Sequence, residues 1–349
     1  MFYIDEDSEA LALEASKVHP QARCEIEFQR TLRIPDDNQE YDLPPGLGKF
    51  PLSHVDDYKD KVPESWVQHG GVFLPMYQGE AMWLNFNPRS PISSSTGYPF
   101  AIKIATGKIN AVSGEAWSNE LQSGRTSAGR QDYVVIPEQP WLDGYCVAEG
   151  LIRQFVAMPL GEGYTAEEQL TGESEHGGIQ IVAYPMKREL YQKIKEPKHF
   201  AAKEYALASI WCNYEVMSED EYGLAAGGLM RQQIFKDKYG IDAWDQDHPS
   251  RCFVHILNSR QYQAFTGEAP PDEPPSAKTY TEAGLPWFDY YSESNTALDG
   301  AESLAGLDSV AAKGIKKGQK PLPENTPVSP GYIVVLGDKL RKIVRDGKF

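Results

Sequence analysis

Two apolar runs, Tyr145–Met158 and Ile179–Tyr184, constrain the fold of this chain more than any other stretch. Both read as strands buried on both faces, because neither shows the polar alternation of a strand with one wet face. Glu149-Gly150 can turn the first run back on itself. Between the runs lies a connection rich in glycine and acid, with a single histidine, His176. Thr165, followed three residues later by Glu168, is a capping box, and Gly172 suits the far end. The spacing predicts a short helix over Ala166–Thr171.

The flanking sequence is also strand-rich. Glu25–Ile34 alternates through Ile26 and Phe28, then Leu32 and Ile34, and Pro35 stops it. Val72–Phe86 holds alternating Met82, Leu84 and Phe86, beside residues (Met76, Tyr77, Glu80, Ala81) that also suit a helical turn. Tyr98–Glu115 reads as a hairpin. A two-residue loop at Thr106-Gly107 places Ile104 opposite Ile109 and Ile102 opposite Ala111, with Lys103 and Asn110 on the polar face. Gln131–Ile136, Cys252–Leu257 and Tyr332–Leu336 add strands. Glu9–Val18, Ser259–Phe265 and a stretch from Asp299 to Ala312 suit short helices.

This pattern predicts a β-rich α+β protein, with a mostly antiparallel sandwich or barrel-like core and short helices. At 349 residues and 41% hydrophobic content, the chain can bury a large core. Residues 1–25 read as an N-terminal arm and 26–267 as the β-rich core domain. Residues 268–279, around APPDEPP, read as a Pro-rich linker, and 280–349 as a C-terminal extension packing on the core or on a partner.

Charge narrows the function classes. The net charge of −16 repels phosphate backbones, and the basic stretches Lys187–Lys198, Lys313–Lys320 and Lys339–Lys348 lack interleaved aromatics, so no nucleic-acid partner is expected. Four cysteines, Cys24, Cys146, Cys212 and Cys252, are far apart and form no CxxC pair, which suits a reducing compartment. The opening MFYIDEDSEA lacks a basic n-region and apolar h-region, and no apolar run approaches the ~20 residues of a membrane span. A cytoplasmic protein without a membrane span is the expectation. The chain contains no GxSxG elbow, P-loop, dinucleotide fingerprint, HExxH or kinase set.

Two clusters carry ligand-type residues. Glu173, Glu175 and His176, with Glu167 and Glu168 one helix away, could ligate a divalent metal or perform acid/base work; a solvated acidic loop explains the same letters. Asp242, Asp245 and Asp247 are spaced like an imperfect calcium loop lacking its glycine and closing glutamate, and a turn stabilised by aspartate explains them equally. His255, between Phe253 and Leu257, reads as a core histidine. No cofactor is implied beyond that possible divalent metal. Aromatic residues are in surplus, with 19 Tyr, 13 Phe and 7 Trp, many framed by proline, as at Trp141 and in Trp287–Tyr291. Trp287, Phe288, Tyr290 and Tyr291 form the expected interface anchor.

The stretches LRIPDD (32–37), PPGLGKFPL (44–52), YPFAIKIATGKINAVSGE (98–115), QPWLDGYCVAEGLIRQFVAMPLGEGYTAEEQLTGESEHGGIQI (139–181) and RCFVHILN (251–258) resemble an uncharacterised family of bacterial and fungal proteins. The resemblance spans most of residues 26–310 and implies one coherent fold. It brings no activity and no catalytic residue.

The leading expectation is a non-enzymatic structural or interaction protein, self-associating as a homo-oligomer or binding a protein partner. The first alternative is a metal-dependent or acid/base enzyme centred on Glu173, Glu175 and His176. The second is a carbohydrate-binding β domain using exposed Trp and Tyr.

Overall fold

The computed structural model of the chain describes residues 1–88, 97–123, 130–194, 221–290, 292, 295–320 and 322–336. The main sheet is built chiefly, in chain order, from β1 (Phe2–Asp5), β2 (Ala10–Glu14), β3 (Arg23–Thr31), β4 (Gly46–Lys49), β5 (Val72–Met76), β6 (Ala81–Asn87) and β7 (Phe100–Thr106). They continue as β8 (Val134–Ile136), β9 (Trp141–Leu142), β10 (Gly144–Ala148), β11 (Leu151–Pro159), β12 (Ile179–Pro185), β13 (Glu221–Arg231) and β14 (Ser250–Asn258). Two more, β15 (Trp287–Tyr290) and β16 (Ile333–Leu336), form a small parallel sheet of their own. The helices used below are α1 (Glu64–His69), α2 (Ala166–Thr171), α3 (Ser259–Thr266), α4 (Ala277–Glu282) and α5 (Val310–Lys316).

One antiparallel path runs β1–β2–β3–β6–β11–β13–β14–β12–β7–β8. At its sides β4 joins β3, β9 joins β6 and β10 joins β11. Two parallel pairs attach as well, β5 on β14 and Glu40–Tyr41 on β13. The protein is β-rich and mostly antiparallel, with few short helices, as the sequence predicts; the sheet does not close into a barrel. Phe28, Leu84 and Phe155 from one half of the path share a single buried cluster with Ile104, Ile181 and Val254 from the other. Tyr145 stitches the halves together. Its hydroxyl donates to the Leu224 carbonyl at 2.8 Å and accepts from Thr106 at 2.8 Å.

The apolar runs that dominate the sequence lie inside this sheet. β12 is buried along its whole length and pairs with β7 on one edge and β14 on the other. β11 sits between β13 on one side and β6 and β10 on the other. In β6, by contrast, Met82, Leu84 and Phe86 are buried while Trp83 and Asn85 are only partly so. That period of two gives the sheet an outer face there.

Several expectations are corrected. The helix expected over Glu9–Val18 gives way to strand β2: Ala10, Leu11, Ala12 and Leu13 are buried and pair with β1, and Leu11, Ala12 and Leu13 pair with β3 as well. Pairing across two strands overrides their helical propensity, and residues 1–25 are part of the sheet rather than an arm. In the 98–115 hairpin the loop is Gly107-Lys108, with Gly107 at φ +54° in its first central position. Ile109 therefore faces Thr106, since only glycine takes that backbone conformation without strain. Its expected polar face is covered. Lys103 and Asn110 are each 1% exposed; Lys103 Nζ lies 2.5 Å from the Asp132 carboxylate and donates to Ser118 and the Glu120 carbonyl.

The Pro-rich stretch stays without regular structure as far as Ser276, which caps α4, so its expected last residues are helical. Residues 299–312 make two short helices, Glu302–Ala305 and α5, because Gly306 ends the first and Ser309 caps the second. The C-terminal segment packs on the core. Phe288 and Leu43 exchange backbone hydrogen bonds, the Ala301 N–H donates to the Cys146 carbonyl, and the Ala311 N–H donates to the Asp36 carboxylate. Cys24, Cys146 and Cys252 are buried and free; Cys212 lies outside the described residues.

Candidate functional site

The acidic connection resolves into one buried carboxylate beside a partly exposed histidine, and two solvated acids. The capping box forms as predicted: the Glu168 N–H donates to Thr165 Oγ1, Glu168 reaches back to the Thr165 N–H, and Gly172 closes α2 at φ +76°. Helix α2 so placed turns Glu167 inward, where it is 1% exposed. Its Oε2 accepts from the N–H groups of His176 (3.3 Å) and Gly177 (3.2 Å), and its Oε1 lies 3.4 Å from His176 Nδ1. Neither Oε1 nor Nδ1 has a hydrogen-bond partner among the described residues, so their approach is a contact and not a hydrogen bond. The carboxylate nearest His176 is thus that of Glu167, with Glu175 at 3.8 Å. Glu173 is exposed, and Glu175 is exposed and sits 3.3 Å from Lys108.

Glycines let these elements approach. A Cβ on Gly178 would stand 2.5 Å from the Val254 carbonyl, and one on Gly107 would stand 2.3 Å from the Glu167 carboxylate. Beside His176 the rings form a stack. His69 lies 5.8 Å from His176 and 4.7 Å from Phe253, and His255 lies 4.4 Å from Trp66. His255 is the core histidine anticipated, donating from Nε2 to the Gly70 carbonyl at 3.0 Å. Burial, opposed by that bond and reinforced by His69, drives it down to about 4. His69 is also lowered, by burial first and then by His176.

The aspartate cluster does not converge. Asp245 accepts from the N–H groups of Asp247 (3.0 Å) and His248 (3.2 Å), a turn stabilised by its own side chain, while Asp242 and Asp247 are exposed. Among the described residues no group of three or more His, Cys, Asp or Glu side chains is placed to hold a metal ion, so the suggested sets Glu173/Glu175/His176 and Asp242/Asp245/Asp247 do not assemble into one.

The aromatic anchor is internal. Trp287 is fully buried, its indole donating to Thr281 Oγ1 at 3.1 Å and its ring 6.4 Å from Tyr41. Phe288 and Tyr290 are partly buried against the core, and Tyr291 lies outside the described residues. Yet the structure brings Tyr290 to Trp141, centroids 4.8 Å apart, and Trp141 stands 6.3 Å from Trp83. These three rings share the outer face of the sheet with a polar network. Register pairs Glu27 with Asn85 and Asn85 with Trp141; it pairs Lys49 with Gln29 and Gln29 with Trp83. Residues directly opposite in an antiparallel pair point the same way, so all six side chains stand on one face.

Glu27 is the centre of that network. Its carboxylate accepts from Asn85 (2.8 Å) and Gln29 (3.0 Å), with Lys49 Nζ at 2.8 Å. Burial pushes this carboxyl up, but Lys49, Asn85 and Gln29 outweigh it and hold it below the ordinary carboxylate range. Trp83, Trp141, Tyr290, Gln29, Asn85 and Lys49 are all partly exposed. Sequence reading found Trp141 and Tyr290 and missed Trp83, Glu27, Gln29, Asn85 and Lys49. The available signal was the alternation itself, which leaves Trp83 and Asn85 between Met82, Leu84 and Phe86.

Compared with known proteins, the chain matches no family model, no curated protein and no solved structure.

Proposed function

We propose that the chain binds a saccharide across the outer face of β3, β6 and β9. The observation that carries this reading is the pair of facing rows, Glu27–Asn85–Trp141 and Lys49–Gln29–Trp83, which set indole rings beside a fixed carboxylate, two amides and an ammonium. A sugar ring has apolar C–H faces and a hydroxyl rim. The aromatic surfaces suit the first, and groups that both donate and accept suit the second. The network already orders those groups, so little side-chain entropy remains to be lost on binding. Self-association gains less support, because its chief anchor, Trp287, is consumed inside the chain.

The test is a glycan array with the full chain, followed by calorimetric titration of the best ligand. Trp141→Ala and Asn85→Ala should each weaken binding at least about tenfold, the loss of one well-placed contact, with circular dichroism unchanged. An array without signal, or affinity unaltered in both variants, sinks the reading.

A further inference from the structure

We propose that a second site, sharing no residue with the sheet face, binds small oxyanions (carboxylates or phosphates) in a cavity beside the start of β8. The cavity has a volume of about 450 Å³ and is half-open to solvent. That size falls within the ~300–1,000 Å³ typical of small-molecule sites. Three stretches meet there: 130–133 ahead of β8, 236–240, and 298–300 of the C-terminal segment. Arg130 and Lys236 bring positive charge to its lining, and Val112 and Leu298 bring apolar surface. The walls are fixed without a ligand. The Lys236 N–H donates to the Thr296 carbonyl (2.8 Å), the Leu298 N–H to Ile234 (2.7 Å) and the Ala301 N–H to Cys146 (2.9 Å). Gly300 presses so close to β10 that a Cβ there would stand 2.4 Å from the Ala148 nitrogen. A preformed cavity loses little freedom when a ligand enters.

Unspent donors in the lining decide the sign of the ligand. Arg130 uses Nη1 on the Gly300 carbonyl, and among the described residues the rest of its guanidinium fork is unused. The Lys236 ammonium makes no hydrogen bond among those residues; Asp299 stands 3.9 Å away with its side chain 81% exposed. The acceptors, by contrast, are already occupied. Asp237 Oδ2 accepts from the Tyr133 hydroxyl (2.7 Å) and the Trp244 indole (3.0 Å), and Oδ1 accepts from the Tyr239 N–H (2.7 Å). Gln131 Oε1 accepts from the Asp237 N–H (2.8 Å), and its Nε2 donates to the Tyr133 and Phe235 carbonyls. A cavity with two cationic donors to spare and its acceptors spent favours a ligand that brings oxygens and negative charge. The anionic group goes to Arg130 and Lys236, and a short carbon body goes to Val112 and Leu298.

The experiment titrates the full chain with succinate, inorganic phosphate and succinamide by calorimetry at low ionic strength. Succinate or phosphate should bind with a Kd of about 1 mM or tighter, and the tighter of the two tells a carboxylate site from a phosphate site. Succinamide has the same carbon chain without the charge and should not bind. Arg130→Gln and Lys236→Met should each weaken binding about tenfold, and added salt should weaken it in the wild type. Lys278→Met removes a surface cation outside the cavity and should leave the affinity intact. Arg130 is exposed and the Lys236 side chain is 44% exposed, so neither substitution disturbs the core. The proposal is overturned if neither anion binds, if succinamide binds as tightly as succinate, or if either cavity variant keeps wild-type affinity. A blank glycan array bears only on the sheet face, because the two sites have no residue in common.

Discussion

Trp141, in the central sheet, and Tyr290, in the C-terminal segment, meet ring to ring with centroids 4.8 Å apart. The contact makes the outer face of the sheet a composite of two distant stretches. Tyr290→Ala should therefore weaken saccharide binding about tenfold, and cost only about 1 kcal/mol of stability because the ring is not fully buried. Titration calorimetry and chemical denaturation on one preparation separate the two effects. Unchanged affinity would exclude Tyr290 from the site.

The buried pair Lys103–Asp132 predicts a larger loss. Lys103 is 1% exposed and also lies 5.3 Å from the Trp117 ring. Burial pushes the Asp132 carboxyl up and Lys103 pulls it back. Lys103→Met strands that carboxylate and should cost about 3–5 kcal/mol. Adding Asp132→Asn should recover at least half of it. A double variant as unstable as the single one refutes charge compensation as the cause.

Asp143 gives a pH signature. It is buried, and burial raises its carboxyl to about 7 from the ordinary 3.8, against the pull of the Gln232 amide. The unfolded chain loses this proton near 3.8 and the folded chain keeps it to about 7, so stability falls as pH rises between those values and levels off above them. Asp143→Asn removes that slope, at most ~1.4 kcal/mol per pH unit. Urea midpoints of wild type and Asp143→Asn should diverge between pH 4 and 7; parallel curves would refute the assignment.

Two glycines near α2 should respond differently to alanine. Gly178 has φ +53° and its Cβ would meet the Val254 carbonyl at 2.5 Å, whereas Gly172 has φ +76° and open space. Gly172→Ala should cost about 1 kcal/mol of backbone strain, and Gly178→Ala clearly more, on the order of 3 kcal/mol. Equal thermal shifts would mean that strand β14 yields to the added methyl.

What could be read from the sequence was whatever neighbours in the chain decide. Thr165, Glu168 and Gly172 spell a helix with both ends closed, and the runs through Tyr145 and Ile179 carry too few polar residues to face water. Leu11 and Leu13 defeated that reading, because partners on both sides make a strand of residues that favour a helix alone. Gly107 defeated the hairpin register, since one residue of loop displacement changes every cross-strand pair. The site was least legible. Glu167 and His176 are near in sequence, but Glu173 and Glu175 looked equally good until burial sorted them. Glu27, Asn85 and Trp141 become neighbours only through registers between strands far apart in the chain, which no local pattern encodes.

The C-terminal segment that rests on Leu43 and Trp141 has a consequence for synthesis. The central strands leave the ribosome well before Tyr290 does, by on the order of ten seconds at ordinary translation rates. Until then Leu43 lacks the backbone bonds it exchanges with Phe288, and the Trp141 indole is uncovered. A nascent chain at that stage is a natural client for chaperones that hold exposed apolar surface. A stalled or truncated product ending before Trp287 should be the form that aggregates.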